Sequence, residues 1–263
     1  MIGHLVMLCD YGLDDAIATC HVFENLKKFS RIDILAVGGN VPPAVSLRNA
    51  RTLAARFDLG RKVTVVDTCG VKQNWEELYH IHGADGMGGV LAPADNALAP
   101  ADGGVRCVKF RDWIRDYEGC DVLLSLGPMT VTRKVLKKAL PGKFIFMGGN
   151  IAAETNYHGY EFNEGVDPKA YAACVKIPHK AVTLDTGSRG LDIDRDEITG
   201  TSLKDDLTRT YRELCRSRGE IPCYVWDDIA VRYMLRPADF DERICADANG
   251  NVINRLIYKG AGK

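Results

Sequence analysis

No stretch of this 263-residue chain approaches the ~18 consecutive apolar residues of a membrane span. The first apolar segment, residues 4–9, is also far too short for the core of a secretory signal, so a cytoplasmic protein is expected. Charge of one sign is missing too: 34 basic and 35 acidic residues leave a net charge of -1. That balance gives nucleic acid and anionic membranes nothing to hold, and points to a small-molecule partner. There is no CxxC pair, and the nine cysteines are odd in number and widely scattered, which argues against a disulfide framework and for reduced thiols, many of them core fillers. Internal repeats and low-complexity linkers are absent as well.

What is present suits one large core. With 46% hydrophobic and 26% charged residues, residues 1–263 are expected to form a single α/β domain. Apolar runs recur at residues 5–9, 32–37, 63–66, 122–126, 144–147 and 181–184, mostly too continuous for strands wet on one face. Helical patterns lie between or beside them at 14–29, 44–57, 105–117, 130–139 and 168–175. The alternation predicts an open, mostly parallel, Rossmann-like sheet with helices on both faces. Two further helices are expected around 203–216 and 227–235, and Asn249-Gly250 suggests a late hairpin. Residues 86–104 hold seven glycines or prolines and read either as a flap over a site or as a passive surface loop.

The stretch LCDYGLDDAI, residues 8–17, carries the chemistry. Asp10 ends the first buried strand, and in an open parallel sheet ligands gather at the carboxyl ends of strands. Asp14 and Asp15 also suit a plain helix N-terminus, where negative charge complements the macrodipole. Asp10 is different, because a carboxylate ending a buried strand needs a partner for its charge. A hard divalent cation, Ca²⁺ or Mg²⁺, would supply it through oxygen ligands. Trp226-Asp227-Asp228 and the strand end at Leu126-Gly127-Pro128 offer further oxygens.

Residues 10–16, DYGLDDA, resemble the aspartate-rich D-x-D-P-G-x-D-D fingerprint of the inosine-uridine preferring nucleoside hydrolase family. The resemblance continues in order through Gly39-Asn40, HGADGMGG at 82–89, Gly127-Pro128-Met129-Thr130, Met147-Gly148-Gly149, and Glu161-Phe162-Asn163 followed by Asp167-Pro168. It implies hydrolysis of the N-glycosidic bond of a ribonucleoside on a Rossmann-like sheet with bound Ca²⁺. It further implies that Asp10 is both calcium ligand and general base, and that Asp15, the Leu126 carbonyl and Asp227 complete the metal site. Asp14 and Asn40 would hold ribose hydroxyls, Asn163 the 3'-hydroxyl and Glu161 the 5'-hydroxyl. Met147 and His82 are placed at the substrate, His82 towards the base, though it also reads as a loop histidine. Family habit implies a homodimer or homotetramer.

Three departures stand out. Leu8 replaces the first aspartate of the fingerprint and Tyr11 its proline. Thr155 falls where the family asparagine near the 5'-hydroxyl is expected, with Asn156 one residue away. Trp226 stands where many members carry a histidine that protonates the departing base. Trp226, with Trp75, tilts the expectation towards a purine or another fused heterocycle, since a π face can stack on it; Trp226 also reads as packing beneath the C-terminal helix. A nucleotide whose 5'-phosphate meets Arg189 stays open. Two rival readings follow: a non-catalytic nucleoside- or ribose-binding protein that keeps the metal site, and a Mg²⁺-dependent phosphohydrolase. The phosphohydrolase leaves the EFN and MGG blocks unexplained, and no Gly-rich P-loop is present.

Overall fold

Alternate residues of a strand point to opposite faces of its sheet, and in this chain both faces are covered. The computed structural model describes residues 2–76, 78–91, 105–187, 191, 193 and 198–260. Most of the expected flap, at 92–104, and Arg189 lie outside the described residues. The chain begins with β1 (Gly3–Cys9), α1 (Leu13–Glu24), β2 (Phe29–Ala36), α2 (Pro43–Ala54), β3 (Val63–Asp67) and α3 (Tyr79–His82). It continues through β4 (Arg106–Lys109), α4 (Phe110–Arg115), β5 (Val122–Ser125), α5 (Met129–Lys138) and β6 (Lys143–Met147). Then come α6 (Phe162–Val166), α7 (Pro168–Cys174), β7 (Lys180–Val182), α8 (Leu203–Ser217), α9 (Trp226–Leu235), β8 (Phe240–Ala246) and β9 (Val252–Tyr258). None of the described helices is long and apolar enough to cross a membrane.

One nine-stranded sheet results, in the order β4-β3-β2-β1-β5-β6-β7-β9-β8, parallel except for the final hairpin. The strand order reverses between β1 and β5, and such a switch point opens a crevice at the strand ends. Leu5, Met7 and Cys9 pack with residues of α1, α2, α8 and α9, while Val6 and Leu8 pack with residues of α4, α5 and α7. Leu8 is fully buried in that second layer, so the position where the family pattern has a carboxylate is a core position here.

Two expected boundaries shift. The helical pattern at 105–117 begins as strand β4, which pairs parallel with β3 from Thr64↔Arg106 to Asp67↔Lys109. Its Arg106, Cys107 and Lys109 are exposed, because an edge strand needs no continuous apolar run. Likewise α1 stops at Glu24, and β2 starts at Phe29 because Gly3↔Phe29 opens the β1–β2 ladder. The hairpin at Asn249-Gly250 joins β8 to β9, and Gly250 takes the turn's positive φ of 82°.

Candidate active site

The β1 ladder ends at Cys9, and the next residue, Asp10, is buried with 1% of its surface exposed. Tyr11 then turns the chain with φ 48°, a value that a proline ring forbids, so the departure from the family pattern is a departure in backbone as well. Gly12 leads into α1, whose third residue, Asp15, reaches back to accept from the Gly12 amide at 3.0 Å. From the loop between β2 and α2, Asn40 donates its backbone amide to Asp10 Oδ2 at 2.8 Å and its side-chain amide to Oδ1 at 3.1 Å. Both Asp10 oxygens are thereby oriented. Any side chain at Gly39 would overlap Asp10 Oδ2, so the Gly39-Asn40 pair is explained by this contact.

Asp14, Asp15 and Asp227 each offer a carboxylate oxygen within 4.8 Å of one another. Asp10 lies within hydrogen-bond reach of Asp15, and Asp15 of Asp227. Burial pushes the Asp10 carboxyl up to about 7, even with the opposing bonds from Asp15 and Asn40. It raises Asp15 and Asp227 well above the ordinary carboxylate range, with repulsion from Asp10 and Asp14 adding to it in both cases. Neighbouring Asp228 makes the contrast: bonded to His21 Nδ1 at 2.6 Å and Arg232 Nε at 2.8 Å, it is held down at about 2 despite burial. Among the described residues no lysine or arginine is paired with Asp10, Asp14, Asp15 or Asp227. The buried Oδ1 atoms of Asp14 and Asp15 have no hydrogen-bond partner. An all-oxygen, buried cluster lacking positive charge fits a hard divalent cation.

A cavity of about 670 Å³ opens beside the cluster. Its wall includes Asp14, Asn40, His82, Leu126, Met147, Asn156, Glu161, Asn163, Trp226 and Asp227, residues drawn from seven separate stretches of sequence. Asp10 and Asp15 stay behind that wall, Asp10 bonded to Asn40. Asn163, on α6, donates to the Leu126 carbonyl at 2.7 Å and the Met147 carbonyl at 3.2 Å, tying together the ends of β5 and β6. Glu161 caps α6 by accepting from the amides of Asn163 and Glu164, both at 3.0 Å, and also accepts from Gly149 at 2.9 Å. Gly149 makes that bond at φ 77°, where a side chain would strike the Tyr171 hydroxyl, which links the MGG and EFN blocks physically. Asn156 tethers the same helix, its Oδ1 accepting from Phe162 N at 2.9 Å.

His82 accepts from Leu13 N at 3.2 Å through Nδ1, which leaves the ring proton on Nε2, and burial lowers its pKa. Its ring runs parallel to that of Tyr211, centroids 6.0 Å apart. Trp226 lies on the cavity wall and anchors its indole N–H to the Leu184 carbonyl at 3.2 Å. Trp75 does not join it; it is 46% exposed and away from the cavity, because the chain after β3 carries it to the surface. The wall also contains Tyr211, Cys215, Cys223 and Tyr224, which sequence motifs did not mark. The available signal was periodicity: Leu207, Tyr211 and Cys215 recur every four residues on the buried face of α8.

Fold and site together define an α/β protein with a carboxylate cluster and an adjoining cavity at the switch point of its parallel sheet. The chain belongs to the inosine-uridine preferring nucleoside hydrolase family, whose model matches residues 5–255, and so to enzymes that cleave ribonucleosides. No curated protein matches it in sequence. A purine-preferring ribonucleoside hydrolase from Gardnerella vaginalis shares the fold with TM-score 0.71 at 21% identity, over 98% of this chain and 93% of the other. An inosine-guanosine nucleoside hydrolase gives 0.69 at 18%, over 100% and 89%. An inosine-uridine preferring nucleoside hydrolase from Bacillus anthracis gives 0.61 at 14%, over 100% and 92%.

Proposed function

We propose that this protein hydrolyses the N-glycosidic bond of purine ribonucleosides, with Ca²⁺ as cofactor and Asp10 as general base. The observation that carries the reading is the buried, cation-deficient carboxylate cluster beside a cavity lined with hydroxyl-binding side chains. Asp10, Asp15, Asp227 and the Leu126 carbonyl would hold Ca²⁺, which would supply the positive charge that acidifies a water beside the sugar. The chain's own groups do the rest. Asp10, held at both oxygens by Asn40, takes a proton from the attacking water. Asp14, Asn40 and Asn163 hold the ring hydroxyls and Glu161 the 5'-hydroxyl, so the sugar is fixed as positive charge grows at its anomeric carbon. Buried carboxylates beside that carbon favour the cationic transition state over the neutral substrate.

Trp226 presents an aromatic face in the cavity wall and offers no proton, so it stabilises a fused base by stacking. The names of two similar structures, purine-preferring and inosine-guanosine, support a purine. His82 contributes its Nε2–H to the base end of the cavity. The protein acts in cytoplasmic purine salvage as a homodimer or homotetramer, and sedimentation measures that assembly.

The test is a chromatographic assay of calcium-loaded protein with purine, pyrimidine and modified ribonucleosides and their 5'-monophosphates, with Asp10→Asn as control. Base release that vanishes in the control supports the reading. Calorimetric binding of nucleoside without release from any substrate replaces it with the non-catalytic binding protein.

A further inference from the structure

Of the nine cysteines, Cys215 and Cys223 are a pair whose sulfur atoms meet. Cys215 sits near the end of α8, Cys223 in the segment that leads to α9, and both are buried, at 2% and 1% exposure. Their Sγ atoms are 2.7 Å apart, about 0.7 Å beyond a disulfide bond. Both line the cavity described above, so a small solute that enters it reaches them without opening the core. None of the nine is in a disulfide, and of the other seven Cys69 and Cys107 are exposed.

We infer that Cys215 and Cys223 are a reversible thiol–disulfide site in the cavity wall, oxidised by small hydroperoxides such as hydrogen peroxide. The geometry assigns the roles. Arg218 Nη2 lies 3.7 Å from Cys215 Sγ, and the Cys223 thiol donates to that same sulfur. Both contacts favour the Cys215 thiolate, and its pKa is lowered, by the Cys223 bond first, against the opposing effect of burial. Arg218 is itself held by the carbonyls of His80 at 3.3 Å and Ile81 at 3.0 Å and by Glu220 at 2.7 Å, so its charge stays beside the pair.

The chemistry balances without a metal. The Cys215 thiolate attacks one peroxide oxygen, the O–O bond breaks, and the leaving hydroxide takes up the Cys223 proton to form water. Cys215 is then a sulfenic acid. The Cys223 thiolate attacks its sulfur, the S–O bond breaks, and the departing hydroxide takes the proton given up on forming the original Cys215 thiolate, giving a second water. Two thiols lose two electrons and two protons, and one peroxide becomes two waters. A dithiol such as dithiothreitol reverses the exchange.

The pair forms part of the wall that also holds His82 and Tyr211. Oxidation removes a thiol donor there and ties α8 to the segment before Trp226. KM for nucleoside therefore rises while kcat is kept, since Asp10 and the cluster are untouched. This kinetic consequence rests on the cavity being the substrate site proposed above; the cross-link itself does not.

The whole protein is treated with a few equivalents of hydrogen peroxide, remaining thiols are alkylated after denaturation, and peptides are mapped by mass. A peptide joining Cys215 to Cys223, roughly 2 Da lighter than its two thiol halves and abolished by dithiothreitol, is expected. Cys215→Ser and Cys223→Ala should each lose it. Oxidation confined to Cys69 or Cys107 with both partners still alkylated overturns the inference, as does sulfinic acid at Cys215 with no cross-link. A cross-link without a change in KM keeps the thiol site and overturns the cavity's assignment to nucleoside.

Discussion

Raising the pH should destabilise the metal-free protein, and Asp10 sets the size of the effect. Its carboxyl titrates near 7 in the folded chain and near 3.8 unfolded, so between those values the native state holds a proton that the unfolded state has lost. Stability must then fall as pH rises through that window, by about 1.4 kcal/mol per pH unit, and level off above 7. From pH 5 to pH 8 the loss from Asp10 alone is about 3 kcal/mol. Asp15 and Asp227, both raised, act in the same direction. The buried His82 and His179, both lowered, act in the opposite one. Comparing urea unfolding of wild type and Asp10→Asn in metal-free buffer cancels the histidine contributions, while Asp15 and Asp227, which Asp10 repels, add to the difference. The stability of wild type relative to the variant should drop by at least about 3 kcal/mol over this range, and saturating Ca²⁺ should abolish the drop. A difference that stays level without metal, or that persists unchanged with it, would refute the electrostatic picture of the cluster.

Asp10→Asn itself should cut turnover by at least about 10²-fold, the usual contribution of a general base, while leaving the far-UV spectrum unchanged. Gly39→Ala pushes the Asp10 carboxyl off Asn40 and should cost about 10²-fold in kcat/KM, readable in steady-state kinetics. Trp226→Ala should reduce purine release about tenfold more than release from p-nitrophenyl riboside, whose leaving group needs no stacking partner; equal losses would make Trp226 structural. Asp228→Asn breaks the bonds to His21 and Arg232 and should lower stability by about 2 kcal/mol in urea unfolding, with Ca²⁺ affinity kept.

Much of the site was legible because its chemistry is local. A carboxylate at the end of a buried strand is costly wherever it occurs, so the sequence alone marks Asp10 as a candidate site residue. The central strands were readable for a related reason: burial on both faces leaves continuous apolar runs. Strand β4 was not, since its exposed edge carries arginine, cysteine and lysine in a pattern no different from a helix flank. The Gly149–Glu161 bond escaped notice because a backbone amide has no signature in the sequence. Pairing Trp75 with Trp226 failed likewise, for residue type says nothing about which side of a loop meets the cavity. The wall built by α8 carried only the period of a helix, which marks a buried face without telling core from ligand surface.

The His21–Asp228 bond pins α1 to α9, and each helix delivers an acidic residue from its first turn to the same cluster. The two halves of that cluster are separated by some two hundred positions in sequence, with Asp14 and Asp15 at one end and Asp227 at the other. A ribosome therefore makes the first half long before the second exists. A nascent chain cannot assemble the cluster until α9 has emerged and docked, so any cation suited to these carboxylates could be captured only from that moment. A chain truncated before Trp226 would keep most of the sheet and none of that competence.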